Sequence, residues 1–163
     1  MHKWLIMFFC LINVLMSPIM AKEDMNKERM SKESMIKKIM AKEKLPGPFH
    51  FRLIKVVDGD TFHADIPVWL GLTITTKIRL EHIDTPELRG KCAYEKRLAR
   101  QARDFAANWL QQDGLVLENI SYGTYAGRVL ATPRRANGET LGAALRAAGL
   151  ARPYRGRRES WCN

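Results

Sequence analysis

Between Thr61 and Ile83 the chain alternates apolar and polar residues, and a two-residue period is satisfied by strands with one buried face. In Thr61–Ile66, Phe62, Ala64 and Ile66 share one side, while His63 and Asp65 share the other. In Leu72–Ile83, Leu72, Ile74, Ile78 and Leu80 point one way, and Thr73, Thr75, Lys77, Arg79 and Glu81 the other. Phe51–Val57, rich in β-branched and apolar residues, reads as the preceding strand. Asp58-Gly59 joins it to the next as a hairpin turn favouring left-handed angles, and Pro67–Gly71 reads as a loop. The pattern then changes. Tyr94 to Gln112 reads as a helix with Leu98, Ala102, Phe105 and Trp109 toward the core, and Lys96, Arg97, Arg100 and Arg103 outward. Leu115–Ser121 and Arg128–Thr132 complete five strands, and Glu139–Leu150 is a short alanine-rich helix. Five short strands, with one helix before the fourth and one after the fifth, fit an α+β arrangement: a five-stranded Greek-key barrel of the oligonucleotide-binding kind.

The N-terminal third reads differently. Lys3 precedes a nearly unbroken apolar run, Trp4–Met20, and Ala21 is a small residue before Lys22 and Glu23, which is the order of a secretory signal over residues 1–21. Residues 22–48 form a tether built on a five-residue repeat (MAKED, MNKER, MSKES, MIKKI, MAKEK) that ends at Leu45-Pro46-Gly47-Pro48. Five residues advance an ideal helix by about 500°, so successive methionines form no single stripe. Residues 49–163 are the barrel domain. Export to a periplasm or beyond the cell is expected, with no stable membrane insertion once the signal is cleaved. A monomer is expected, and no protein partner is implied.

Composition narrows the choice of function. The 163 residues carry a formal charge of +10, and from Pro46 onward 18 basic residues stand against 12 acidic ones, so the excess belongs to the barrel as well. A polyanionic partner suits that balance. Hydrophobic residues make up 46% of the chain, which excludes wholesale disorder, and three cysteines exclude a disulfide-dense miniprotein. After the first twenty residues no apolar run is long enough to span a bilayer.

Chemistry concentrates in acids and arginines. Asp58 and Asp60 flank Gly59, Asp84-Thr85-Pro86-Glu87 follows the third strand, Arg79 lies on that strand's polar face and Arg128 opens the fifth. Carboxylates without a Cys-x-x-Cys or His-x-x-x-His pair suit a hard, oxygen-seeking cation such as Ca²⁺ or Mg²⁺. Other roles fit the same residues. Asp58 and Asp60 serve as turn formers, Thr85-Pro86-Glu87 as a helix start, and either arginine as a surface charge.

Val57-Asp58-Gly59-Asp60-Thr61-Phe62, Ile78-Arg79-Leu80 with Ile83-Asp84-Thr85-Pro86-Glu87, and Tyr125-Ala126-Gly127-Arg128-Val129-Leu130-Ala131 resemble the staphylococcal (thermonuclease-like) nuclease family. The resemblance covers about Phe49 to Cys162 and extends to Gly138-Glu139-Thr140-Leu141 and Gly149-Leu150-Ala151. It implies a nuclease-type barrel with helices and an enzyme that hydrolyses phosphodiesters of DNA and RNA, leaving 3′-phosphate ends. It also implies one Ca²⁺ held by the side chains of Asp60 and Asp84 and the backbone carbonyl of Thr85, with Asp58 holding metal-bound water. Arg79 and Arg128 would grip the scissile phosphate, and Glu87 would activate or orient the attacking water. The sequence departs from the staphylococcal pattern around Arg128: Ala126 stands two residues before it, with Tyr125 one place further away, and Gly123-Thr124 replace an acidic residue. The segment from Asp65 to Lys77, which contains Trp69, is longer than in the staphylococcal protein.

Cys10 leaves with the signal, so Cys92 and Cys162 remain as an even pair, expected as a disulfide in an oxidising compartment; the alternative is two free thiols. Two other functions suit the same charge. One is a catalytically inactive nucleic-acid-binding barrel whose tail arginines Arg152, Arg155, Arg157 and Arg158 grip the backbone. The other is a module whose lysine-rich tether contacts anionic lipid.

Overall fold

The computed structural model describes residues 22–36, 44–123 and 128–162. The expected secretory signal, part of the repeat tether and Tyr125 lie outside them. The chain forms two compact units, Met1–Met40 and Ala41–Asn163. In the first, residues 22–36 form a helix (α1) exposed along its length, with Lys32 and Glu28 paired at 2.7 Å one turn apart. Met25, Met30 and Met35 are all exposed, in keeping with a five-residue step that gathers no apolar face. No helix of the described residues is long and apolar enough to cross a membrane.

The second unit is the barrel. Its strands are β1 (Phe49–His50), β2 (Arg52–Asp58), β3 (Thr61–Trp69), β4 (Leu72–Leu80), β5 (Ile83–Asp84), β6 (Val116–Tyr122), β7 (Arg128–Arg134) and β8 (Arg152–Pro153). Helix α2 (Ala93–Leu110) lies between β5 and β6, and α3 (Leu141–Ala147) between β7 and β8. Six strands form one sheet in the order β1-β6-β7-β4-β3-β2, antiparallel except for the parallel β4–β7 pair. The two outer strands, β1 and β2, are one stretch of chain interrupted at Phe51. The hydrogen-bond ladder is therefore not closed, and the sheet curls back on itself through the covalent chain, five strands being counted when β1 and β2 are taken together. Ahead of β1, the backbone of Leu45 exchanges two 2.8 Å hydrogen bonds with Ile120.

Inward residues of the strands and the inner face of α2 make one core, with Phe62, Ile78, Leu117, Leu141 and Leu145 almost fully enclosed. Three expectations need correction. Pro67–Trp69 continues β3 instead of forming a loop, since Pro67 pairs with Thr73 and Trp69 with Leu72 around a turn at Leu70-Gly71. The β3–β4 hairpin consequently outruns the core, which leaves Leu72 and Ile74 about half exposed despite their correct parity, and Trp69 77% exposed. Helix α2 is rotated by about one residue from the expected face: Glu95, Ala99, Ala102, Ala106 and Trp109 are buried, and Leu98 and Phe105 are half-buried at the edge. Small side chains were preferred over large ones because the helix sits close against the barrel.

Gly59 shows how close. It joins the expected hairpin but without the expected left-handed angle; a Cβ at Gly59 would lie 2.7 Å from Cβ of Ala102 and 3.1 Å from Cβ of Thr85. The missing side chain lets α2 and the segment after β5 press onto the β2–β3 turn. Gly59→Ala is expected to cost about 1–3 kcal/mol by overpacking, measured by urea denaturation; a loss below a few tenths of that scale would mean the contact yields freely.

Candidate active site

The β2–β3 turn puts Asp58 and Asp60 at the mouth of the barrel. Asp58 does act as a turn former, its Oδ1 accepting the Asp60 backbone N–H at 3.2 Å. Asp60 does more. It is 3% exposed, and its Oδ1 accepts from Arg79 Nη1 at 2.6 Å and from the Thr61 hydroxyl at 2.8 Å. Arg79 reaches it because Thr61 and Arg79 face each other across β3 and β4. The second arm of the same guanidinium, Nη2, donates to the Ile83 carbonyl at 3.3 Å, one residue before Asp84. Arg79 therefore ties the first acidic segment to the second, and the close approach of Gly59 to Thr85 joins them a second time. Burial pushes the Asp60 carboxyl up to about 7; Arg79 opposes the rise, and Asp58 adds to it.

Asp84, on β5, is 5% exposed, and Thr85 is buried beside it. No helix begins at Thr85-Pro86-Glu87; α2 starts at Ala93 with Cys92 as its N-cap. Asp84 Oδ2 accepts from Arg152 Nε at 3.0 Å and from the Trp161 indole N–H at 3.1 Å. Glu87 Oε1 pairs with Arg158 Nη1 at 2.6 Å, and Arg158 Nη2 donates to Glu95 Oε1 at 2.8 Å. A cleft of about 600 Å³ opens beside Glu87, walled by Arg89, Lys91, Glu95 and Arg158. Arg128 opens β7 opposite Lys77, on the same face of the sheet as Arg79 and one two-residue step away from it.

Asp60 and Arg79 thus adjoin the Asp84-Thr85 segment and Arg128 lies one rung from Arg79, while Asp84 and Glu87 have partners outside the sequence motifs. Those partners come from the C-terminal segment. Arg152 is held on four sides: by Asp84, by the Ser160 carbonyl at 3.0 Å, by the Glu159 carbonyl, and by the Trp161 ring with its centroid 4.1 Å away. A Cys92–Cys162 disulfide fastens the end of this strap to the start of α2. Arg152 and Arg158 are accordingly tied to acids of the rim, although Arg158, like Arg155 and Arg157, is exposed. Glu95 was read only as part of a helix, yet it is buried and accepts the Lys91 N–H at 3.0 Å, organising the loop that carries Glu87. The signal available in the sequence was the cysteine pair: a bridge from Cys162 to Cys92 brings Trp161 and its neighbours to the segment after Glu87. Among the described residues, the one set of three metal-ligating side chains within 4.8 Å is Cys92, Glu95 and Cys162, whose sulfurs are already joined.

An oligonucleotide-binding-type barrel with arginines at its rim carries guanidinium groups of the kind that match phosphate oxygens. The family model described as staphylococcal nuclease homologue matches residues 77–162, more than half of the chain, and the protein belongs to that nuclease family. The match takes in Arg79, Asp84, Glu87, Arg128 and the strap, while Asp58 and Asp60 precede it. Among curated proteins none matches the chain.

The raised Asp60 carboxyl has a consequence for stability. The folded protein keeps this proton up to about pH 7, whereas the unfolded chain loses it near the ordinary 3.8. Between those values the native state binds the extra proton, so stability falls as pH rises and levels off above about 7. In chelator, wild type is expected to lose stability relative to Asp60→Asn from pH 4 to 7 in urea denaturation; parallel curves would contradict the assignment.

Proposed function

We propose that the protein is an exported, Ca²⁺-dependent nuclease that hydrolyses DNA and RNA with little sequence preference. The observation that carries this reading is the double tie between Asp60 and the Asp84-Thr85 segment, through the Arg79 guanidinium and through the Gly59 contact. Both acids are buried, Arg79 holds Asp60 next to the segment that carries Asp84 and Thr85, and burial disfavours the Asp60 charge.

These donors fit a calcium ion: all are hard oxygens, and Asp60, Asp84 and the Thr85 carbonyl would hold it, with Asp58 placed to receive a hydrogen bond from bound water. Bound there, the ion would neutralise charge accumulating on the phosphoryl oxygens. The remaining work falls to side chains. Arg79 and Arg128 bind the phosphate oxygens, for which a guanidinium fork is better matched than an ammonium. Glu87, half-exposed beside its cleft, takes the proton of the attacking water as the water oxygen bonds to phosphorus. The bond from phosphorus to the 5′ oxygen breaks, that oxygen takes up a proton from solvent to leave as a 5′-hydroxyl, and a 3′-phosphate remains. Arg152 and Trp161, both on Oδ2 of Asp84, fix the plane of that carboxylate. Export rests on the apolar N-terminal run, and the disulfide, which persists in oxidising compartments, supports it.

Purified full-length protein is expected to degrade plasmid and RNA with Ca²⁺ and to stop in chelator. Arg79→Ala and Glu87→Gln should each lower the rate by about 10²–10³; binding without cleavage would indicate the inactive barrel instead. Trp161→Phe keeps a ring beneath Arg152 but removes the indole N–H. It should weaken Ca²⁺ binding by about tenfold with little change in melting temperature, and unaltered affinity would remove the strap from the metal site.

A further inference from the structure

The strand registers build a second charged feature beside this site. Lys55 of β2 faces His63 of β3, His63 faces Lys77 of β4, and Lys77 faces Arg128 of β7. Four basic residues thus occupy one rung across four adjacent strands. Their chain neighbours Val56, Phe62 and Ile78 pack into the core, so the rung looks outward. At about 4.8 Å between strands, it spans about 14 Å.

The adjoining rungs give it direction. On one side lie Asp58, Thr61, Arg79 and Leu130, which include residues of the candidate site; the step is two residues, about 6.7 Å, along β3, β4 and β7, and three along β2, where the register shifts. On the other side, Asp65 is neutralised by Arg52 at 2.5 Å and accepts the Thr75 hydroxyl at 2.6 Å. The positive charge is therefore confined to a band beginning next to Arg79. Lys55 and Lys77 are exposed, and neither is paired with an acid among the described residues. His63 is held below its ordinary value by burial and by both lysines, whose charges lie close to the imidazole.

We propose that Lys55, His63, Lys77 and Arg128 form a track for the sugar–phosphate backbone of a nucleic-acid strand leaving the candidate site. Three cations and an uncharged imidazole on a smooth sheet contact phosphates without reading bases, which suits a substrate class defined by its backbone. This deepens the nuclease reading and rests on it for the scissile end, although binding to the track is measurable without cleavage.

The test is the salt dependence of binding of full-length protein to a labelled single-stranded oligonucleotide, by fluorescence anisotropy in chelator. Each lost phosphate contact on a single strand flattens the slope of log K against log salt by about 0.7, so Lys55→Ala/Lys77→Ala should flatten it by about 1.4. Lys96→Ala/Arg100→Ala removes the same charge from the outer side of α2 and should leave the slope unchanged. With Ca²⁺, the track variant should raise KM for a long strand and keep kcat within about twofold, since uniform binding is lost and the reacting groups are untouched. Equal slopes in wild type and track variant, or equal flattening in both double variants, would overturn the track. Normal track behaviour in a protein that never cleaves would instead overturn the nuclease reading and leave the track standing.

Discussion

Two buried carboxylates govern this structure. Asp60 and Asp84 are 3% and 5% exposed, and a charge so enclosed must be met by an opposite one or give up its ionisation. The chain meets both with arginines, Arg79 from the neighbouring strand for Asp60 and Arg152, 68 residues on, for Asp84. Such pairs contribute little net stability, because the attraction largely offsets the lost hydration, but removing one member leaves an uncompensated charge inside. Under the proposed nuclease function, the arrangement serves a cation and a phosphate more than it reinforces the fold. Even beside Arg79, burial keeps the Asp60 carboxyl raised to about 7.

The barrel delivers these groups by simple geometry. A two-residue turn ends β2 and begins β3, so acids at its corners stand at the rim; the parallel β4–β7 pair brings Arg79 and Arg128 onto one face. Ala99, Ala102 and Ala106 keep α2 slim, and Gly59 has no side chain to hold it away. Close packing of backbone, rather than any single strong bond, sets the distance between the two acidic segments.

Much of this was legible in the sequence. Alternation identified the inner faces of β3 and the end of β4, and of the motif residues Arg79 is tied to Asp60 and to the residue before Asp84. Parity could not reveal where the core stops, so Leu72 and Ile74 were read as buried although the hairpin passes beyond the helices. Periodicity of 3.6 identified α2 but favoured its large apolar residues, when contact with the turn required alanines. The strap was hardest to read. Arg152, Arg158 and Trp161 lie in an irregular segment without periodicity, and their roles depend on long-range pairing and on a disulfide closing 70 residues. At the rim, that strap supplies partners for Asp84, Glu87 and Glu95 alike, which makes it as much a wall of the candidate site as the barrel strands are.

The claim on which the account turns is that Asp60 and Asp84 share one cation. Isothermal titration of Ca²⁺ into the full-length wild type, Asp60→Asn and Asp84→Asn proteins addresses it without reference to cleavage. The account predicts one bound ion in the wild type and loss of that binding in each variant, with all three folded by circular dichroism. A wild type that binds no Ca²⁺, or an Asp84→Asn protein that binds it as tightly as wild type, would contradict it.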